Sequence, residues 1–387
     1  MHILIIRSYH FMPERNSLLG IFQFHQASAL IRNGCKIGLI SNPMLYLPFR
    51  KSSEKLQLGK VIERDFGFPV LEYNGYNFFP KLRGLQRILL SGYGNHLFKV
   101  YCKKYGKPDI LHAHNARSSG VLASQLKKNH SIPYGITEHS TAYATGWVNK
   151  IEFPFLKNTY QHADFRIFVS PELGNTIETL FGKDVIRPWV YIPNILDHLF
   201  ENADLHPPLS KPRFTFLVVA NLIERKGLIE LLSAFKILIE DGNDCSLHII
   251  GNGPQEETLK KKAVDTGIED RVSFLGKILR EQILREMQTC DVYLQPSYYE
   301  TFGVAIIEAL SCGKPVIATS SGGPNNIVNQ DNGILIPPVD ISALADAMRK
   351  MKDQIRQFNP IKIREQCISL YGEKAVTESL IKIYKEV

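Results

Sequence analysis

The chain starts the same pattern twice. Short apolar runs alternate with longer stretches of helical periodicity, first from residue 3 and again from residue 214. Runs this short and uninterrupted fit strands buried on both faces, as in a parallel sheet whose crossovers are helices. That points to an α/β architecture with one parallel sheet in each half. In the first half, a strand at 3–6 is followed by a polar loop over 8–19. A helix then opens at Gly20 with apolar residues at 22, 27, 30 and 31 and stops at Asn33-Gly34, before a strand at 36–40. Strands recur at 109–112, 135–137 and 166–170. The stretch 202–213, rich in Pro and polar residues, reads as a linker. After it come strands at 214–220, 246–250, 272–275, 292–294 and 316–318, with helices at 227–240, 255–265, 281–289 and 304–312 between them. Two successive sheets leave a cleft between their strand C-terminal ends, where open α/β sheets take ligands. The domains are read as 1–200 and 201–371, with a C-terminal helix over 372–387 packing back on the first. A length of 387 residues at roughly 150 per domain agrees with two domains.

Composition removes several alternatives. With 44% apolar and 22% charged residues, the chain is neither disordered nor collagenous. Its six cysteines contain no C-x-x-C pair, which excludes a zinc ribbon and a disulfide scaffold and suggests reduced thiols in a cytoplasmic compartment. The apolar run after Met1 is too short for a signal peptide, and no run of about 18 apolar residues is present to span a membrane.

The excess of positive charge is confined to one half. Residues 1–205 hold 24 basic against 15 acidic side chains, whereas 206–387 hold 22 against 23. The stretch 73–108 has no acidic residue, yet carries Lys81, Arg83, Arg87, Lys99, Lys103, Lys104 and Lys107 among Tyr73, Tyr76, Phe78, Phe79, Tyr93, Phe98 and Tyr101. A solvated basic face is the ordinary reading. Docking on an anionic bilayer through the basic residues of 81–107, with Phe78, Phe79 and Leu residues at the acyl boundary, is the sharper one. No nucleic-acid-binding motif accompanies the stretch.

The most informative segment runs from Leu294 to Ala318. A strand enters a loop carrying Glu300, and Thr301-Phe302-Gly303 opens a helix containing Glu308. The free amides of residues 302–304, with the positive end of the helix dipole, form a site for a diphosphate, and Gly303 lets the anion approach closely. Glu308 lies about 7 Å further along the axis, within reach of a ribose diol, and Glu300 lies on the side where a sugar would sit.

Here the chain resembles the retaining GT-B glycosyltransferases grouped as glycosyltransferase family 4. The E-x7-E motif matches at Glu300 and Glu308, within Pro296-Ser297, Phe302-Gly303, Glu308-Ala309 and Gly313-Lys314-Pro315-Val316. Gly322-Gly323, Asn332-Gly333, Pro337, Lys226-Gly227, Gly251-Asn252-Gly253-Pro254, Phe274-Leu275-Gly276 and Cys290-Asp291 extend the match. In the first half, Ile192-Pro193-Asn194, Leu111-His112-Ala113-His114 and Thr137-Glu138-His139-Ser140 are similar to the family's phrases. The resemblance implies two Rossmann-like domains whose parallel sheets face across a cleft. It also implies that Lys226 binds the donor phosphates, Glu300 orients the sugar hydroxyls and Glu308 holds the ribose, while the backbone at Lys277 and Ile278 faces the base. Gly253, Phe302 and Val304 join the donor side. Asn221 stands where the family often has Arg, so Arg225 is the substitute, and Asn326 stands where many members have Glu. His112 and His114 are read as alternating at a strand end, so that one faces the cleft: His114, acting with His139, while His112 is a satisfied core histidine. Gly20 is either an approach of backbone to ligand or a plain turn.

No D-x-D motif is present to hold a divalent cation on a diphosphate, so the expectation is transfer without metal or other cofactor. The family resemblance implies that the anomeric configuration is retained. The expected donor is a nucleoside diphosphate sugar, UDP or GDP, and the expected acceptor a glycan or lipid-linked glycan of surface polysaccharide or lipopolysaccharide synthesis. This would take place in the cytoplasm or on the inner face of the cell membrane. Two other readings stay open: a nucleotide-sugar epimerase of the same fold, and a donor-binding glycan-assembly protein without transfer.

Overall fold

The computed structural model describes residues 1–7, 20–41, 44–46, 59–77, 83–205 and 213–387. The loop read over 8–19, Phe78, Phe79, Lys81 and most of the stretch read as a linker lie outside the described residues. The chain forms two compact units, one of Met1–Ile192 with Thr377–Val387 and the other of Pro193–Val376.

The strands of unit 1 are β1 His2–Arg7, β2 Lys36–Ser41, β3 Met44–Tyr46, β4 Val61–Asp65, β5 Pro69–Tyr73, β6 Gly75–Asn77, β7 Ile110–His114, β8 Tyr134–Glu138, β9 Phe165–Phe168 and β10 Val190–Tyr191. Eight of them form one sheet in the order β10-β9-β8-β7-β1-β2-β5-β4, and β3 pairs separately with β6. Every pairing in the large sheet is parallel except β4 with β5. That antiparallel edge departs from the all-parallel expectation. β4 carries Glu63, Arg64 and Asp65, so its polar residues suit an edge strand rather than the middle of a sheet. β1 and β7, in the middle, are buried along their whole length.

Unit 2 holds β11 Phe214–Val219, β12 Cys245–Ile250, β13 Val272–Gly276, β14 Val292–Gln295, β15 Val316–Thr319 and β16 Gly333–Ile336. Their order is β13-β12-β11-β14-β15-β16, and all are parallel. Its core joins Phe216, Val218, Leu247, Ile249, Val292 and Leu294 of the sheet to the inner faces of helices Leu228–Glu240 and Ile341–Asp353. Asn359 and Asp340 cap the helices that follow them with side-chain oxygens, a local stop signal that suits the end of a loop. The short helix His198–Glu201 belongs to this unit, where Arg364 donates to the carbonyls of Phe200 and Glu201 at 3.4 and 2.6 Å.

Of the stripe read at 22, 27, 30 and 31, the helix Ile21–Arg32 buries Ala27 and Leu30 and leaves Phe22 and Ile31 half-buried, and it also buries Gln23, Gln26 and Ala29. Gln23, one of the two buried glutamines, lies with Arg7 of β1 around Gly20. The helix Arg83–Tyr105 buries Leu97, Phe98 and Tyr101, so those aromatics belong to the core and not to a surface. None of the six cysteines is in a disulfide. Among the described residues no helix is long and apolar enough to cross a membrane.

Candidate active site

In unit 2 the strand order reverses between β11 and β14, so the loops leaving these two strands lie side by side at their C-terminal ends. The β11 loop ends in a single 3-10 turn, Glu224–Lys226, closed by Gly227 with φ at 66°. A Cβ on Gly227 would lie 2.1 Å from the Pro296 carbonyl oxygen, so only glycine lets the β11 loop rest against the β14 loop. The Tyr298 amide donates to Arg225 O at 2.8 Å and fastens the two. Lys226 Nζ then donates to Glu300 Oε2 at 2.6 Å, with both side chains 13% exposed. Arg225 Nη1 donates to Tyr299 O at 2.9 Å and stands 3.9 Å from the same Glu300 oxygen.

Glu300 is fixed from further sides. Gln295 Nε2 donates to it at 3.3 Å, and Gln295 is itself held by Tyr293, whose hydroxyl donates to Gln295 Oε1 at 2.8 Å. The Glu300 amide donates to Ser321 O at 2.9 Å, and its carbonyl accepts from Gly323 N at 2.8 Å. A Cβ on Gly323 would lie 2.3 Å from Phe302 Cα, which explains the double glycine after β15 as a close passage of two loops. Burial pushes the Glu300 carboxyl up, but Lys226 more than reverses this, with help from Arg225 and Ser297. The group is held below the usual carboxylate range and is ionised.

Beyond Glu300, Gly303 caps the helix Val304–Ser311, which has no side chain capping its N-terminus. The Phe302 ring is buried edge-on against Tyr371, with centroids 5.8 Å apart, so at this position only the backbone can meet a ligand. Val304 is half-buried. Glu308 is 3% exposed and accepts from Arg280 Nη2 at 2.5 Å, and the same nitrogen reaches Asp197 Oδ2 at 2.7 Å. Burial raises the Glu308 carboxyl, which Arg280 offsets only in part. Gly253 packs against the β11 loop, where a Cβ would lie 2.4 Å from Leu222 O. Lys277, exposed, and Ile278, half-buried, follow β13 at the edge of the sheet.

Unit 1 has its own reversal, between β1 and β7. Residues two apart on a strand share a face, and His112 and His114 do so, with ring centroids 4.7 Å apart and planes at 29°. They do not take opposite sides. His114 Nδ1 shares a hydrogen bond of 2.9 Å with His139 Nε2, and these rings stack at 5.1 Å and 13°. His112 is satisfied on both nitrogens, by Tyr384 Oη at 2.6 Å and Thr137 Oγ1 at 2.7 Å. Burial pushes His112 down to about 3 and His114 well below its ordinary value, the latter aided by its charged and histidine neighbours. Both rings are neutral, and His114 Nε2 is buried without a hydrogen-bond partner. Gly20 caps the helix Ile21–Arg32 with φ at 70°, and a Cβ there would lie 2.6 Å from Arg7 Nη2. Its first service is to make room for the fully buried Arg7 guanidinium.

Several residues of these two sites were not singled out from the sequence. Glu138 is buried and accepts from Ala116 N at 2.9 Å, Tyr160 Oη at 2.8 Å, His139 N at 3.1 Å and Ser140 N at 3.0 Å, which shapes the loop that carries His139. A charged residue closing a buried strand was the available signal, for Glu138 and for Arg7 alike. Arg280, Asp197 and Tyr384 gave none, since each lies in ordinary polar or amphipathic sequence.

The comparisons with known proteins fit this geometry. The family model for glycosyl transferases group 1 matches residues 202–368, and that for Glycosyltransferase Family 4 matches residues 21–198. A putative teichuronic acid biosynthesis glycosyltransferase, TuaC of Bacillus subtilis, is 27% identical over 252 residues, which cover 64% of this chain and 62% of that protein. Sucrose-phosphate synthase of Thermosynechococcus elongatus superposes with a TM-score of 0.79 at 22% identity, over 100% of this chain and 99% of that one. HepE of Anabaena, solved in complex with UDP, superposes at 0.75 and 17% identity over the whole of each chain.

Proposed function

The chain belongs to the group 1 glycosyl transferases of glycosyltransferase family 4, with the GT-B fold, and on that premise we propose that it moves a sugar from a nucleoside diphosphate sugar to a glycan or lipid-linked acceptor with retained configuration. The observation that carries the proposal is the half-buried Lys226–Glu300 pair, set where the sheet of unit 2 reverses and next to an uncapped helix start. An ammonium and helix amides suit a departing diphosphate, and an ionised carboxylate held by its own cation suits sugar hydroxyls. Glu308 takes the ribose diol, and the amides of 302–304, with Arg225 and Gly253 nearby in sequence or fold, complete the donor side. The backbone at Lys277 and Ile278 takes the base, UDP or GDP. His114, as a neutral imidazole, and His139 are assigned to substrate hydroxyls, and Gly20 to backbone approach by the donor.

In this reading the acceptor oxygen bonds to the anomeric carbon as the bond from that carbon to the diphosphate oxygen breaks. The acceptor's proton passes to the departing phosphate, so no protein nucleophile is formed. Lys226 and Arg225 supply the positive charge that a metal ion supplies elsewhere. Glu300→Gln is expected to keep the fold and lose transfer by about 10²–10³-fold, with turnover unaffected by EDTA. Full activity of that variant, or product formed without acceptor as an epimerase would give, overturns the proposal.

The acceptor class extends the reading to place. TuaC is named for teichuronic acid biosynthesis, and a lipid-linked acceptor fits an enzyme in the cytoplasm that visits the inner membrane face. Lys99 and Lys103 are exposed on the helix Arg83–Tyr105, as are Leu85 and Ile88 near its start. Lys104 is engaged with Glu63 and Lys107 with the His130 carbonyl. Vesicles of anionic lipid are therefore expected to pellet the protein at low salt and neutral vesicles to leave it in solution. Equal behaviour of the two removes the membrane from the proposal.

A further inference from the structure

Unit 2 holds a cation on several sides at a position that no motif marks. Arg280 begins the helix Arg280–Thr289 and sits between two carboxylates. Its Nη2 donates to Glu308 Oε1 at 2.5 Å and to Asp197 Oδ2 at 2.7 Å, and its Nε reaches Asp197 Oδ2 at 3.2 Å. The guanidinium lies 4.7 Å from the Phe200 ring centroid, so its plane is held as well as its charge. Asp197 is fixed in turn, since its Oδ1 accepts the amide of Leu199 at 3.0 Å and caps the helix His198–Glu201. Among the described residues, Arg280 is the one side chain that bonds the Glu308 carboxylate, and it bonds one oxygen of the two.

We propose that Arg280 is a positioning residue for ligand recognition: it ties down Oε1 of Glu308 so that Oε2 is presented to the vicinal diol of a ribonucleotide. This rests on the reading of unit 2 as a nucleoside diphosphate site. A carboxylate takes a diol well only if it is charged and does not rotate, and a buried glutamate meets neither condition unaided. The titratable and charged groups facing Glu308 are Arg280 from its helix, Asp197 from the segment ahead of His198, Tyr293 from β14 and Cys312 at the end of its own helix. Arg280 is the one cation among them. Asp197 opposes it, raising the Glu308 carboxyl directly while anchoring the arginine.

The test uses the full chain and calorimetric titration. UDP, GDP and ADP are compared at pH 7, and the tightest is then compared with its 2′,3′-dideoxy analogue between pH 5.5 and 8.5. The wild type should prefer the ribonucleotide by about tenfold or more, and Glu308→Gln should bring that preference within about threefold. Arg280→Met should move the pH at which the preference is half lost upward by at least about one unit. Asp197→Asn, which keeps the helix cap, should move it down. A side chain that only fills space would weaken both ligands equally and move neither midpoint. If Glu308→Gln abolishes the preference while Arg280→Met and Asp197→Asn leave the midpoint in place, the role of Arg280 falls and the donor site stands. If Arg280→Met does not fold, an unmoved midpoint in Asp197→Asn is sufficient to overturn the proposal. If the wild type shows no ribose preference, the assignment of Glu308 falls too, and this proposal with it.

Discussion

The two sheets reverse their strand order in the same way, and each places its most unusual side chains at the strand ends beside that reversal. What stands there differs in kind. In unit 1 the corner is a stack of imidazole rings, His112, His114 and His139, and burial opposes the protonation of His112 and His114. In unit 2 the corner is ionic: Lys226 on Glu300, and Arg280 shared by Glu308 and Asp197. Topology therefore fixes where a site can form and leaves its chemistry to a few side chains. A corner built from ion pairs can exchange one charge partner for an incoming anion. A corner built from neutral imidazoles can give or take a hydrogen bond without attracting charge.

The largest expected break in this contrast is Lys226→Met. It removes the cation hydrogen-bonded to Glu300 and leaves Arg225, 3.9 Å away, as the remaining one, and initial rates should fall by about 10²–10³-fold with the fold retained. A loss below about tenfold would mean that the ionic corner does not bear on the reaction. Acid sharpens the comparison next. The folded-state pKa of His112, at about 3, lies below the ordinary value near 6.5, so the unfolded chain binds more protons between those limits. Unfolding free energy should therefore drop as pH falls through that window, by on the order of 1 kcal/mol per pH unit from this residue. Glu300, held low, stabilises above the usual carboxylate range and loses that contribution only below it. Denaturant melts of His112→Asn between pH 6.5 and 4.5 should thus show a shallower pH slope than the wild type, while Glu300→Gln keeps the wild-type slope there. The smallest effect is expected for Tyr384→Phe, which removes one buried hydrogen bond to His112 and should cost about 1 kcal/mol by the same melts. No change at all would mean that the last helix does not support the histidine stack.

The fold was largely legible because its signal is local. Strands such as β11, β12 and β14 are short apolar runs, and the helices between them carry their own stop signals. β4 was not legible, since Val61–Asp65 is half polar and pairs at an edge. The candidate site divides along the same line. Lys226, Glu300 and Glu308 sit in loop and helix-start phrases whose glycines mark loops in close contact, so their neighbourhood can be read from spacing. Arg280 and Asp197 meet across 83 residues of chain, and His112 and Tyr384 across 272. Pairings at such separations leave no trace in local pattern. The error over His112 and His114 was different in origin, since the strand's period of two puts them on one face and the sequence already contained that fact.

The last helix, Glu373–Lys385, begins in unit 2 and ends in unit 1, where Tyr384 bonds His112. On the ribosome, residues 1–192 emerge well before 377–387, and all of unit 2 is translated in between. The first unit to appear is therefore the last to be finished. Until the closing residues arrive, the imidazole behind His114 lacks one of its two hydrogen-bond partners, and the nascent unit must wait half-assembled through the synthesis of its neighbour.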